Sequence, residues 1–123
     1  MAKAARTASP SKRPLGTASA SPAAAGYSGP ARMDDAAISK ALLAVPEWSQ
    51  IAGSIQRTFG FADFLAAMAF VGLVATAAED HAHHPDILIR YNKVTLSLNT
   101  HDAGGITTKD FALAALLDGK VRS

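Results

Sequence analysis

The clearest pattern in the chain is an alternation. Val94, Leu96 and Leu98 are apolar, and Thr95, Ser97 and Asn99 between them are polar, which predicts a strand with one buried face. Asp86 to Tyr91 reads as its antiparallel partner, with Asn92-Lys93 as a two-residue turn because Asn tolerates positive φ. Upstream, Phe61 to about Asp80 has helical periodicity on two sides. One stripe is Phe61, Phe64, Leu65, Met68, Val71, Ala75 and Ala78, and a second is Phe70, Leu73, Val74 and Ala77. A helix apolar on nearly all sides must be covered on nearly all sides, and one sheet covers only one. The second stripe is therefore expected to meet another copy of the chain, so that Phe61 to Ala78 holds a homodimer or homotetramer together.

The remaining elements follow from caps and breakers. Asp34 or Asp35 can cap a helix running to about Ala44, with Ile38, Leu42 and Leu43 on one side and Pro46 ending it. Trp48 to Ile51 and Ser54 to Phe59 read as short strands with Gly53 near their turn. Thr107 and Asp110 have capping-box spacing, with Asp in the usual place of Glu, and open a last helix carrying Phe111, Leu113, Ala114, Leu116 and Leu117. The order α-β-β-α-β-β-α predicts an α+β domain: a four-stranded antiparallel sheet with three helices packed on one face.

Composition divides the chain of 123 residues in two. Residues 1 to 33 are rich in Ala, Ser, Pro and Gly and hold five basic residues and no acidic one. Such a segment buries too little apolar surface to offset its ordering entropy, so a disordered N-terminal extension is expected. An acid-free, Arg- and Ser-containing start also suits an organellar transit peptide, although its prolines oppose the amphipathic helix such signals form. From residue 34 to 123, the expected domain, seven Lys and Arg face ten Asp and Glu, a net charge of −3 with neutral histidines. The positive charge is thus confined to the tail, and the domain has no basic patch for nucleic acid. No stretch reaches the roughly 20 apolar residues of a membrane span. The absence of cysteine excludes disulfides, thiolate metal sites and thiol nucleophiles, and fits a cytoplasmic setting.

Candidate chemistry rests on histidine. His81, His83, His84 and His101 are all the histidines present. With Tyr91 and Val94 flanking the turn, the hairpin sets His84 across from His101, and a one-residue shift opposes His83 instead. Imidazole titrates near neutral pH, so a pair can supply both an acid and a base. Two other readings stand beside this one: surface histidines favoured by a helix C-terminus, or a metal site using Glu79 and Asp80, whose spacing matches no standard motif. Trp48 is expected in the core rather than against a ligand.

The run Glu79-x-x-x-His83-His84-Pro85, then Tyr91, His101 and Asp110, resembles the signature of the pterin-4a-carbinolamine dehydratase family. Trp48, Phe59-Gly-Phe61-x-Asp63-Phe64, Tyr91-Asn92-Lys93-Val94 and Thr100-His101-Asp102-Ala103-Gly104-Gly105 add to the similarity, which spans roughly Asp34 to Asp118. The resemblance implies a hydro-lyase that converts 4a-hydroxytetrahydropterin to quinonoid dihydropterin, the recycling step after aromatic amino acid hydroxylases, with no metal or redox cofactor. It implies His83 and His101 as the acid–base pair and His84 as the residue that orients the pterin. Pro85 and Thr100, His101, Asp102 and Ala103 would hold the pterin edge, with Glu79 and Asp110 in supporting positions. The alternative it implies is a protein-binding or assembly cofactor built on the same fold.

Overall fold

A computed structural model gives the structure of residues 26–122. The expected disordered segment thus lies outside the described residues as far as residue 25. Its last part does not: Met33 packs against the core, and its N–H donates to the carbonyl of Ile106 at 2.8 Å.

Three helices and four strands follow in the expected order. Helix α1 (Asp35–Leu42) starts at Asp34, whose carboxylate accepts the N–H of Ala37 at 2.8 Å. Only Ile38 and, in part, Leu42 face the core. The helix ends at Leu42, so Leu43 is exposed rather than part of the buried side. Strands β1 (Ser49–Ile51), β2 (Ser54–Gly60), β3 (Asp86–Arg90) and β4 (Lys93–Leu98) form one antiparallel sheet in the order β1-β2-β4-β3. The pairs Ile55↔Leu98 and Phe59↔Val94 lie on the helix-covered face, with Leu96 between them. Thr58↔Thr95 and Gln56↔Ser97 lie on the other face, and the two threonine hydroxyls are 2.7 Å apart. The alternation read from residues 94 to 99 is therefore the alternation between core and open face.

The long helix α2 (Phe64–Asp80) is capped by Asp63, which accepts the N–H of Ala66 at 2.8 Å. Its two stripes sort differently from expectation. Phe70, Val74 and Ala77 of the second stripe are in the core, where the Phe70 ring lies 4.7 Å from that of Phe59 and 5.0 Å from that of Phe61. The uncovered face is formed by Phe64, Leu65 and Met68 of the first stripe together with Leu73. Leu65 is 77% exposed and Leu73 48%. With apolar residues on both sides, periodicity alone could not say which side meets the sheet. Ring packing marks the buried side, where Phe70 completes an aromatic cluster with Phe59 and Phe61.

The hairpin register also differs. Arg90 pairs with Lys93, so the turn is Tyr91-Asn92, with Tyr91 at φ 53°, instead of Asn92-Lys93. Asn92 serves another purpose. Its side-chain amide donates to the carbonyl of Phe61 at 2.8 Å, and its own carbonyl accepts the N–H of Phe61 at 2.9 Å. These two bonds pin the turn to the chain leaving β2. Extended beyond the strands, the observed register would set His84 opposite Asn99 and His83 opposite Thr100, so the expected facing of His84 and His101 does not arise from strand pairing.

Helix α3 (Thr108–Arg122) opens with the anticipated capping box. Thr107 Oγ1 accepts the N–H of Lys109 at 3.2 Å, and Asp110 Oδ2 reaches back to accept the N–H of Thr107 at 2.9 Å. Trp48 is buried, and its indole N–H donates to Asp118 on α3 at 2.8 Å. Arg57 on β2 reaches the same carboxylate oxygen at 2.7 Å, with its guanidinium 4.2 Å from the centre of the Phe59 ring.

Candidate active site

The site begins with how α2 ends. His81 is the last residue of near-helical conformation, and Ala82 turns into the left-handed region at φ 49°. The N–H of His83 then donates back to the carbonyl of Ala78 at 3.0 Å, and that of Ala82 to Glu79 at 3.2 Å. This is a Schellman ending with alanine where glycine is usual. It throws His83, His84 and Pro85 across the end of the helix and toward the start of α3. Left-handed alanine costs about 1 kcal/mol, so Ala82→Gly should raise stability by about 0.5–1 kcal/mol in chemical denaturation. A destabilised variant would show that the conformation at residue 82 is not as described.

His83 is then fixed by an acid from far along the chain. Its Nε2 lies 2.5 Å from Asp110 Oδ1, and the two side chains are 10% and 0% exposed. The other oxygen of Asp110 accepts both the Thr107 N–H and the hydroxyl of Thr100, each at 2.9 Å. The hydroxyls of Thr100 and Thr107 are 2.7 Å apart, so Thr107 donates to Thr100 while Thr100 donates to Asp110. Both oxygens of the Asp110 carboxylate are engaged, as its burial requires. An ionised Asp110 keeps the proton of a neutral His83 on Nε2 and leaves Nδ1 as the basic nitrogen.

Thr100 directly precedes His101, which links the two histidine segments. Beyond the end of β4, Thr100 forms a bridge with Gly105, exchanging N–H···O bonds of 2.8 and 3.3 Å. That bridge closes a loop whose crest is a short 3-10 turn, His101–Ala103, ended by Gly104 at φ 79°. His101 and Asp102 are exposed and Ala103 is half-buried. The His101 imidazole makes no hydrogen bond to any described residue. His84 is 60% exposed and pairs through Nε2 with Glu79 Oε2 at 2.6 Å, a surface pairing that contributes little to stability. Pro85 is half-buried beside it. His81 stays with its own helix, where its Nδ1 lies 2.9 Å from the Ala77 carbonyl.

The structure therefore joins His83, Asp110 and Thr100 by direct bonds, joins His84 to Glu79, and leaves the ring of His101, at the crest of the neighbouring loop, without a bond to any described residue. Sequence reasoning missed the hydroxyl relay through Thr107, which was legible only as a helix cap. Among the described residues no three His, Asp or Glu side chains gather as a metal-binding group, and no helix is long and apolar enough to cross a membrane.

Comparison with known proteins bears on the family and the fold. The family model described as pterin 4 alpha carbinolamine dehydratase matches residues 31–119. A protein of Chloroflexus aurantiacus provisionally named pterin-4-alpha-carbinolamine dehydratase is 56% identical over 87 residues, covering 71% of this chain and 94% of its own length. A protein of Thermomicrobium roseum with the same provisional name is 53% identical over 87 residues, with the same coverage. Among solved structures, a transcriptional coactivator/pterin dehydratase from Brucella melitensis superposes with a TM-score of 0.69 at 32% identity, covering 72% of this chain and 97% of that one. A pterin dehydratase-like protein identified as a RuBisCO assembly factor of the alpha-carboxysome shares the fold at a TM-score of 0.51 and 22% identity, over 62% of this chain and 88% of that one. With a family match over most of its length and relatives identical at more than half of the aligned positions, the chain belongs to the pterin-4a-carbinolamine dehydratase family.

Proposed function

We propose that this protein removes water from 4a-hydroxytetrahydropterin by histidine acid–base catalysis, as a recycling enzyme that follows a pterin-dependent hydroxylase in the cytoplasm. The observation that carries the reading is the Thr107–Thr100–Asp110–His83 chain of hydrogen bonds, with His101 directly following Thr100 and its ring unbonded among the described residues. In the reaction the C4a–O bond breaks, N5 loses its proton, and the C4a–N5 double bond of quinonoid dihydropterin forms. One group must protonate the departing hydroxyl while another takes the N5 proton. His83 is the base, because Asp110 fixes its tautomer and stabilises the imidazolium that forms. His101 delivers the other proton. His84 orients the pterin, and Pro85 and the turn from Thr100 to Ala103 border its edge. The released water and the two proton transfers balance without an electron carrier. Turnover should therefore survive treatment with a chelator; activity lost on chelation and restored by zinc would replace histidine catalysis with a metal mechanism.

The same reading includes assembly through α2. Leu65, Met68 and Leu73 form an exposed apolar strip along one side of the helix, and soluble monomers rarely leave such a face in water. A second copy covering it would give a symmetric dimer or tetramer. Leu73→Asp should dissociate the assembly without unfolding the chain, because Leu73 is outside the core. Val74 cannot serve this purpose, since it is 0% exposed inside the monomer. Light scattering at micromolar concentration reads the outcome, and a wild-type monomer there would mean that this face stays bare in solution. The Brucella neighbour is named a transcriptional coactivator as well as a pterin dehydratase, which supports a second reading in which this chain binds another protein.

A further inference from the structure

His83 and His101 are placed by different means. The ring of His83 is held directly by Asp110, whereas the ring of His101 makes no hydrogen bond to any described residue. Its position is therefore only as well defined as the loop that carries it. That loop has a narrow base. Thr100 and Gly105 exchange backbone bonds, and the Thr100 carbonyl also accepts the N–H of Ala103 at 3.0 Å. The carbonyl of His101 accepts the N–H of Gly104 at 2.9 Å, so a shift of Gly105 would carry the whole crest with it.

The residues ahead of α1 close over this base. The Met33 N–H donates to the Ile106 carbonyl at 2.8 Å and the Met33 side chain packs against the core, so the chain is pinned at the residues adjoining Arg32 and Gly105. Between these points the stem of Arg32 lies over Gly105. A Cβ built on that glycine would stand 2.6 Å from Arg32 Cδ and 3.0 Å from Cγ, and apart from its chain neighbours no other described atom comes within 4 Å of that position. The absence of a side chain at residue 105 thus provides the seat for the stem. Opposed residues of an antiparallel pair project to the same face, so the stem covers the face on which the Thr100 hydroxyl meets Asp110. The contact is made by methylenes, while the guanidinium forms no ion pair with a described residue. We propose that Arg32 is a positioning residue for His101, its aliphatic stem clamping the base of the loop and setting where the imidazole stands for proton delivery. The inference rests on the acid role given to His101 above.

Steady-state kinetics on the full chain with chemically generated 4a-hydroxytetrahydrobiopterin test this, beside thermal melts. Arg32→Ala should stay folded and lower kcat roughly tenfold, less than removal of the ring, with KM moved by less than about twofold. Arg32→Met keeps a stem of similar length without the charge and should return kcat to within about twofold of wild type. Gly105→Ala puts a methyl where the stem lies and should reproduce the loss seen in Arg32→Ala. In a His101→Ala background, Arg32→Ala should lower kcat no further, because no ring remains to be positioned. A wild-type kcat in Arg32→Ala or in Gly105→Ala would overturn the proposal. So would an Arg32→Met as slow as Arg32→Ala, which would assign the effect to the charge, or a further tenfold fall in the His101→Ala background, which would assign it to another part of the site. An Arg32→Ala chain whose melt collapses would give the stem a folding role instead. The underlying reading fails separately, through a His101→Ala variant at full rate or a wild-type chain without turnover.

Discussion

Alanine in place of His83 is expected to lower kcat by about 10²-fold or more, the usual contribution of a positioned acid or base. The reason is geometric. His83 is held between the α2 terminus and Asp110, with Nε2 2.5 Å from the carboxylate, so its free nitrogen is presented in one orientation and one tautomer. Removing the ring removes the base and leaves Asp110 with its bonds to Thr100 and Thr107, so the fold should survive. His101→Ala should cost a similar factor in rate with no loss of stability, because its exposed ring has no partner among the described residues. His84→Ala should chiefly raise KM, since that ring is tied only to an exposed Glu79. Steady-state kinetics beside thermal melts separate these cases. Full activity in both His83→Ala and His101→Ala would remove histidine catalysis from the account.

The largest stability effect is expected far from the histidines, at Asp118. Its carboxylate receives the indole N–H of the buried Trp48 and the guanidinium of Arg57, so one side chain joins the chain ahead of β1, strand β2 and helix α3. Asp118→Ala would leave a buried donor without an acceptor and a mostly buried cation without its counter-charge. The first costs about 1–3 kcal/mol. The second adds less than a fully buried pair would, because Arg57 retains 20% exposure and can turn toward water. A total of about 3 kcal/mol is expected, equivalent to a fall in Tm on the order of 15 °C for a domain of this size. Asp118→Asn should cost less, since the amide oxygen can still accept from Trp48. Asp118 touches neither histidine segment, so kcat measured well below the lowered Tm should stay near wild type. A loss under 1 kcal/mol would mean that the Trp48–Asp118–Arg57 group does not hold the elements together.

Much of this was legible in the chain because it depends on local rules. The alternation at residues 94 to 99 reports a strand with one covered face, and the Thr107–Asp110 spacing reports a capping box, since both patterns fix neighbours a few residues apart. The features that escaped depend on distant partners or on equivalent local choices. Trp48 and Asp118 are 70 residues apart, and no spacing links them. The two stripes of α2 are equally apolar, so only the three-dimensional fit of Phe70 against Phe59 and Phe61 selects the buried one. The hairpin register turned on which residue takes positive φ. Asn92 is the better candidate by propensity, yet its amide is claimed by the Phe61 carbonyl, and Tyr91 takes the left-handed position. His83 and Asp110 were both named as candidate site residues. Their direct bond was not, because the helix cap already explained Asp110.

The central claim is that this chain accelerates the loss of water from 4a-hydroxytetrahydropterin. The direct measurement is rapid mixing of chemically generated 4a-hydroxytetrahydrobiopterin with micromolar protein, following formation of the quinonoid dihydropterin by absorbance. The account predicts a rate above the spontaneous one that rises in proportion to protein and saturates with substrate. A decay that stays at the spontaneous rate at every concentration of folded protein would contradict it.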